Sequence, residues 1–151
     1  MGTRGTITFI FNGKKIKVYN HWDSYPEGLG RKIVKELKVL LESRLIEEII
    51  ERLNEIKIFN YGSVPTEEEI EKLQKYSDVS VSNQDLNDVY CLLRKTQGSI
   101  QKILEAGYVV NHEGDEDYNY FVNFDSKKFG WDGMEGWRFN DLDSFLKECA
   151  A

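Results

Sequence analysis

Long apolar runs are missing from this sequence. No stretch of about 18 uncharged apolar residues occurs, so no membrane-spanning helix and no membrane partner are expected. The first residues, MGTRGTITF, lack the basic-then-apolar order of a secretory leader. A basic surplus is missing too. The chain carries 20 Lys and Arg against 26 Asp and Glu, for a net charge of −6, so no direct nucleic-acid partner is expected. Cysteine is scarce. Cys91 and Cys149 lie far apart without metal-ligand spacing, which suits a reduced, cytoplasmic protein with two unbridged thiols. Aromatic residues are plentiful. At 13% they exclude a mostly disordered chain and supply a core for 151 residues, a length that suits one domain.

The charge is unevenly placed. Residues 1–38 carry a net +5 and residues 105–151 a net −7. Such poles either steer a charged partner or neutralise each other across the fold.

Residues 5–11, GTITFIF, and 14–19, KKIKVY, alternate as half-buried strands do, and Asn12-Gly13 between them suits a type I′ turn. A β-hairpin over 5–19 is expected. Leu29, Ile33, Val34, Leu37, Leu40 and Leu41, then Leu45, Ile46, Ile49, Ile50 and Leu53, recur at helical spacing; they fit one bent helix or a helical pair. Ile56–Asn60 reads as a strand. Thr66 and Glu69 have capping-box spacing for a helix to about Tyr76. Ser82 and Asp85 start a further helix through about Lys95, with Leu86, Val89, Tyr90 and Leu93 as its buried stripe. Residues 99–106 form a short helix stopped by Gly107. Strands are expected at 108–111, 118–125 and 128–131, and a last helix after Asn140. The expected fold class is α+β: one domain over 1–151, with an antiparallel sheet that starts in the N-terminal hairpin and packs on several helices.

The polar and aromatic segment after the hairpin is the conspicuous constellation. A turn at Asn12-Gly13 brings Arg4 to the same end as Tyr19, Asn20, His21, Trp22, Asp23, Ser24 and Tyr25. A guanidinium, an imidazole, a carboxylate and two phenols can hold an anion, or let His21 act as a general base. The alternative is a self-stabilising loop with Asn and Asp bonded to backbone and Arg4 paired with Asp23. A pocket joining Arg4, His21 and Asp23 to residues 83–97 would favour a ligand; a filled, hydrogen-bonded knot would favour a structural role.

Other motifs are weaker. Gly28 and Gly30 lack the rest of a phosphate-binding fingerprint. MGTRGT matches the minimal myristoylation pattern without a second membrane signal. HEGDED (112–117) reads as a solvated acidic turn rather than a calcium loop, so neither a metal nor a cofactor is expected. Trp131, Trp137 and Arg138 in GWDGMEGWR are interface anchors or core aromatics capping a small sheet. No nucleophile stands out. Cys91 sits on a helix stripe, and Thr3 would act as an N-terminal nucleophile only after loss of two residues.

Three blocks of the chain resemble a family of small proteins of bacteriophages and mobile elements, large DNA viruses, some bacteria and fungi. The first is Gly2, Thr3, Arg4 and Gly5 with Tyr19 to Pro26, Gly28 and Gly30, similar to a family pattern MGTRG…Y-N-H-[WF]-D-S-Y-P-x-G-x-G. The second is VSNQDLNDVYCLLRKTQG (81–98), where Val89 replaces a frequent Trp. The third is DYNYFVNFDSKKF (117–129), where Tyr118 replaces a Trp and Asn123 an acid. The resemblance implies no established activity. It implies that Arg4, His21, Asp23, Tyr25, Asn83, Gln84, Tyr90, Arg94 and Gln97 are neighbours.

From these readings the expected function is protein binding without catalysis, by an accessory protein of phage or mobile-element type. Its concrete form is an inhibitor of a bacterial defence system, anti-CRISPR-like, with a host protein as partner. Trp131, Trp137, Arg138, Glu113 and Asp115 are its candidate contacts. The rival is a small-ligand binder, or a hydrolase of N-terminal-nucleophile-like layout. Its candidate residues are Arg4, Tyr19, His21, Asp23, Tyr25 and Arg94.

Overall fold

A computed structural model describes residues 3–78 and 86–150. The hairpin forms as its alternation requires, with β1 (Gly5–Phe11) antiparallel to β2 (Lys14–Asn20). Asn12 and Gly13 take positive φ values of 49° and 72°, the left-handed geometry of the primed turn. The two helical runs are separate helices, α1 (Arg31–Ser43) and α2 (Ile46–Asn54), because Arg44 and Leu45 are extended. Then come β3 (Lys57–Phe59), α3 (Glu67–Leu73), α4 (Val89–Leu92), α5 (Ile100–Ala106), β4 (Tyr108–Val110), β5 (Tyr118–Asn123), β6 (Lys128–Trp131), β7 (Trp137–Arg138) and α6 (Leu142–Ala150). The expected Thr66–Glu69 capping box caps α3, and Gly107 ends α5 at φ 73°.

The fold is α+β, and it begins with the hairpin. The sheet departs from the antiparallel expectation: it is mixed, in the order β2-β1-β5-β6-β7, with β1 and β5 parallel. That pairing joins residues more than a hundred positions apart, which local patterning does not encode. The strand expected at 56–60 forms as β3, but outside the main sheet. It pairs instead with β4, in a separate parallel pair.

The helix expected from Ser82 through Lys95 is also corrected. Ser82 and Asp85 lie outside the described residues. The helical turn starts at Val89, where the Asp88 carboxylate accepts from the Tyr90 N–H at 2.9 Å, and a 3₁₀ turn at 94–96 follows.

Ile7, Phe9, Phe11, Ile16, Val18, Tyr120, Val122 and Phe129 line one face of the main sheet, against apolar stripes of α1, α2, α5 and α6. Burying each such side chain stabilises the fold by roughly 1.5–3 kcal/mol. A second cluster, built from Phe59, Leu73, Tyr76, Val89, Leu92, Leu93 and Tyr108, holds α3 and α4 on the small sheet. Among the described residues, no helix is long and apolar enough to cross a membrane.

The charge poles meet. The Asp125 carboxylate accepts from the Asn12 and Gly13 amides at 2.7 and 2.9 Å, Asp117 from the Arg4 amide, and Asp115 pairs with Lys17 at 2.6 Å. Lys38 also bonds to Asp143.

Candidate functional site

Inside the segment after β2 lies a knot. Asn20 Nδ2 donates to the Trp22 carbonyl at 2.6 Å and to Ser24 Oγ at 2.9 Å. The Ser24 amide donates to the Thr3 carbonyl at 3.0 Å, and the Tyr120 hydroxyl reaches the Ser24 carbonyl at 2.6 Å. Asn20, Ser24 and Tyr120 are buried, so these bonds replace water that cannot enter. Asp23 turns the chain at φ 49°, and its carbonyl accepts the Leu29 amide that begins the turn into α1. A Cβ on Gly5 would fall 2.6 Å from Ser24 Cβ, so Gly5 permits the loop to lie against β1. Much of the NHWDSYPEGLG pattern is accounted for by this knot.

The side chains that face outward make the candidate site. The register Gly5↔Asn20 places Arg4 opposite His21 at one end of the hairpin. Burial lowers the His21 pKa, and the Arg94 and Arg4 charges lower it further. His21 stacks edge-on against Trp22 at 4.5 Å. Its amide donates to Gln97 Oε1, which also accepts from Arg94 Nη1 at 2.8 Å. The Arg94 guanidinium lies over the Tyr90 ring at 5.6 Å. Its Nε is a buried donor with no hydrogen-bond partner among the described residues. Among the described residues, Arg4, Lys32 and Arg94 form no ion pair with a carboxylate. The Arg4–Asp23 pair offered by the sequence does not form.

Arg94 and Gln97 adjoin a cleft of about 390 Å³, lined also by Asn20, Trp22, Asp23, Gly28, Leu29, Lys32 and Gly98. Gln97, with Tyr19, Tyr61 and Tyr90, also lines a narrow pocket of about 30 Å³ floored by Val18, Leu93, Ile103 and Val109. Of the sequence candidates, the structure brings Asp23 and Arg94 to the cleft and Tyr19 to the narrow pocket. His21 and Arg4 stand beside them on the rim. Tyr25 is exposed and lines neither. Asn83 and Gln84 lie outside the described residues.

The candidate partner contacts are dispersed. Trp131 and Trp137 are half-buried against Phe129 and Phe145, Trp137 at 4.9 Å from the Phe145 ring, so they cap the sheet. Arg138 is exposed at the end of β7. In the acidic turn Glu113 is exposed, while Asp115 is engaged by Lys17.

Sequence reasoning missed how Tyr61 and His112 join this region. The Tyr19 hydroxyl lies 2.9 Å from His21 Nδ1, and the Tyr61 hydroxyl lies 2.7 Å from His112 Nδ1. The Tyr19 ring stacks on His112 at 5.0 Å. Both histidines of the chain thus gather about Tyr19. His112 is bonded to Glu116 rather than grouped with the other acids of its turn. The bond from the His112 amide to the Lys17 carbonyl carries the turn there, and no short-range pattern signals it.

No protein family, curated protein or solved structure matches the chain.

Proposed function

We propose that the protein binds a small anionic ligand carrying a flat ring, a nucleoside monophosphate being the simplest such compound, in the cleft between the 20–30 segment and residues 94–98. The observation that carries this reading is the pair of cations in the cleft. Among the described residues, Arg94 and Lys32 line it without a carboxylate bonded to either, in a chain of net charge −6. Unpaired cations in a concavity are a receptor for a phosphate or carboxylate, and a guanidinium can grip one with two bonds. Trp22, 56% exposed, supplies a ring for stacking at the cleft wall. The cleft volume falls within the range of small-ligand sites, about 300–1,000 Å³.

The test uses Trp22 emission. A nucleoside monophosphate should quench it saturably, with inorganic phosphate and the bare nucleoside each weaker. Arg94→Ala should weaken binding by roughly 10-fold or more, the value of a lost charge-assisted bond. Quenching that fails to saturate, or that Arg94→Ala leaves intact, would overturn the assignment.

A protein partner is the second reading, favoured by the exposure of Trp22 and Tyr25 on one loop. In this form the chain is an accessory protein of phage or mobile-element type that masks a host defence component. The anchor is then Trp22 rather than Trp131 or Trp137.

A further inference from the structure

Three side chains outside that cleft form a continuous hydrogen-bonded line. The Tyr61 hydroxyl meets His112 Nδ1 at 2.7 Å, and His112 Nε2 meets Glu116 Oε2 at 3.2 Å. A carboxylate only accepts, so Nε2 carries the imidazole proton and Nδ1 is left to accept the phenolic one. His112, in the middle of the line, is the most shielded of the three. Tyr61 is 46% exposed, while the His112 and Glu116 side chains are 14% and 23% exposed. An accessible hydroxyl, a shielded base and a carboxylate that orients the base are the parts of a nucleophilic triad. Tyr61 also lines the narrow pocket, together with the apolar side chains of Val18, Leu93 and Val109. Partial burial and the neighbouring Tyr90, Tyr19 and Glu116 groups push the Tyr61 phenol up to about 12. It is therefore protonated at neutral pH and depends on a base to react.

We propose that Tyr61, His112 and Glu116 form an acyl-transfer site for short-chain esters, with Tyr61 as nucleophile, His112 as general base and Glu116 as the residue that positions it. The Tyr61 oxygen bonds to the ester carbonyl carbon as its proton passes to His112 Nδ1. The bond to the alkoxy oxygen breaks, and His112 returns the proton to that oxygen, releasing the alcohol. Water then attacks the tyrosyl ester with His112 taking its proton. The carboxylic acid leaves, and the proton restores the phenol. Protons and electron pairs balance without a further reactant. The triad itself shares no residue with the anion cleft, although Gln97 lines both the cleft and the narrow pocket, so either assignment can fail while the other stands.

The test incubates the intact chain with p-nitrophenyl acetate, following nitrophenolate release and mapping acetyl adducts by mass spectrometry. Tyr25, 39% exposed and without a histidine partner, is the internal control. Tyr61 should be acetylated, or turn over, at least about a hundredfold faster than Tyr25, the usual worth of a positioned base. Tyr61→Phe should abolish the fast phase and His112→Gln should slow it by a similar factor. Glu116→Gln should slow the fast phase in a folded protein and Glu116→Asp should recover part of it, because the carboxylate orients the imidazole; a merely structural Glu116 would leave the rate of a folded variant in place. Circular dichroism checks that each variant folds. A Tyr61 rate within a few-fold of Tyr25, or one indifferent to His112→Gln in a folded variant, would overturn the proposal.

Discussion

Asn20 ends β2, fixes the loop that follows and lines the cleft. Its amide satisfies the Trp22 carbonyl and the Ser24 hydroxyl, and its Oδ1 is so close to Gly98 that a Cβ there would fall 2.8 Å from it. Asn20→Ala leaves buried groups without partners and should cost about 1–3 kcal/mol, read as a lower urea midpoint. Whether Asn20, His21 and Asp23 act on a ligand or on their own loop was open in the sequence. The structure divides them. Asn20 and Ser24 turn inward, while His21, Trp22 and Asp23 stand at the surface. Residue types alone could not make that division, because it depends on which side chains Tyr120, more than ninety residues away, encloses.

At the scale of elements, legibility follows the range of the contacts. The hairpin, the α3 capping box and the α5 stop were readable because turn geometry and caps are settled within a few residues. The parallel β1–β5 pairing, the separate β3–β4 pair and the two-residue β7 were not, since each depends on distant partners. The hairpin itself leans on one such partner. Asp125 holds both turn amides from 112 to 113 positions away. Asp125→Ala should therefore destabilise the protein by about 1 kcal/mol, and hydrogen exchange should speed first at the Asn12 and Gly13 amides. Unchanged exchange at those two positions would show that the turn stands without the clamp.

At the scale of the whole molecule, the acidic C-terminal third engages the basic N-terminal part, through Asp115, Asp117, Asp125 and Asp143. Among the described residues, that neutralisation leaves Arg4, Lys32 and Arg94 around the candidate cleft not drawn into ion pairs. Several tyrosines weigh on the alkaline side of the stability profile. Burial raises Tyr61 and Tyr76 from 10.0 to about 12, with the Glu105 hydrogen bond adding to the effect at Tyr76. The folded state then holds protons that the unfolded chain releases, so this stability is complete below pH 10 and is lost as pH rises toward about 12. The urea midpoint should fall across that window, and Tyr76→Phe should flatten the fall.

The most direct test of the anion cleft is a backbone and arginine side-chain NMR titration of the intact protein with a nucleoside monophosphate. Saturable shifts confined to Trp22, Asp23, Lys32, Arg94, Gln97 and Gly98 are predicted, and Arg94→Ala should erase them. Shifts that scatter over the surface, or a spectrum that stays unchanged at millimolar ligand, would contradict the account.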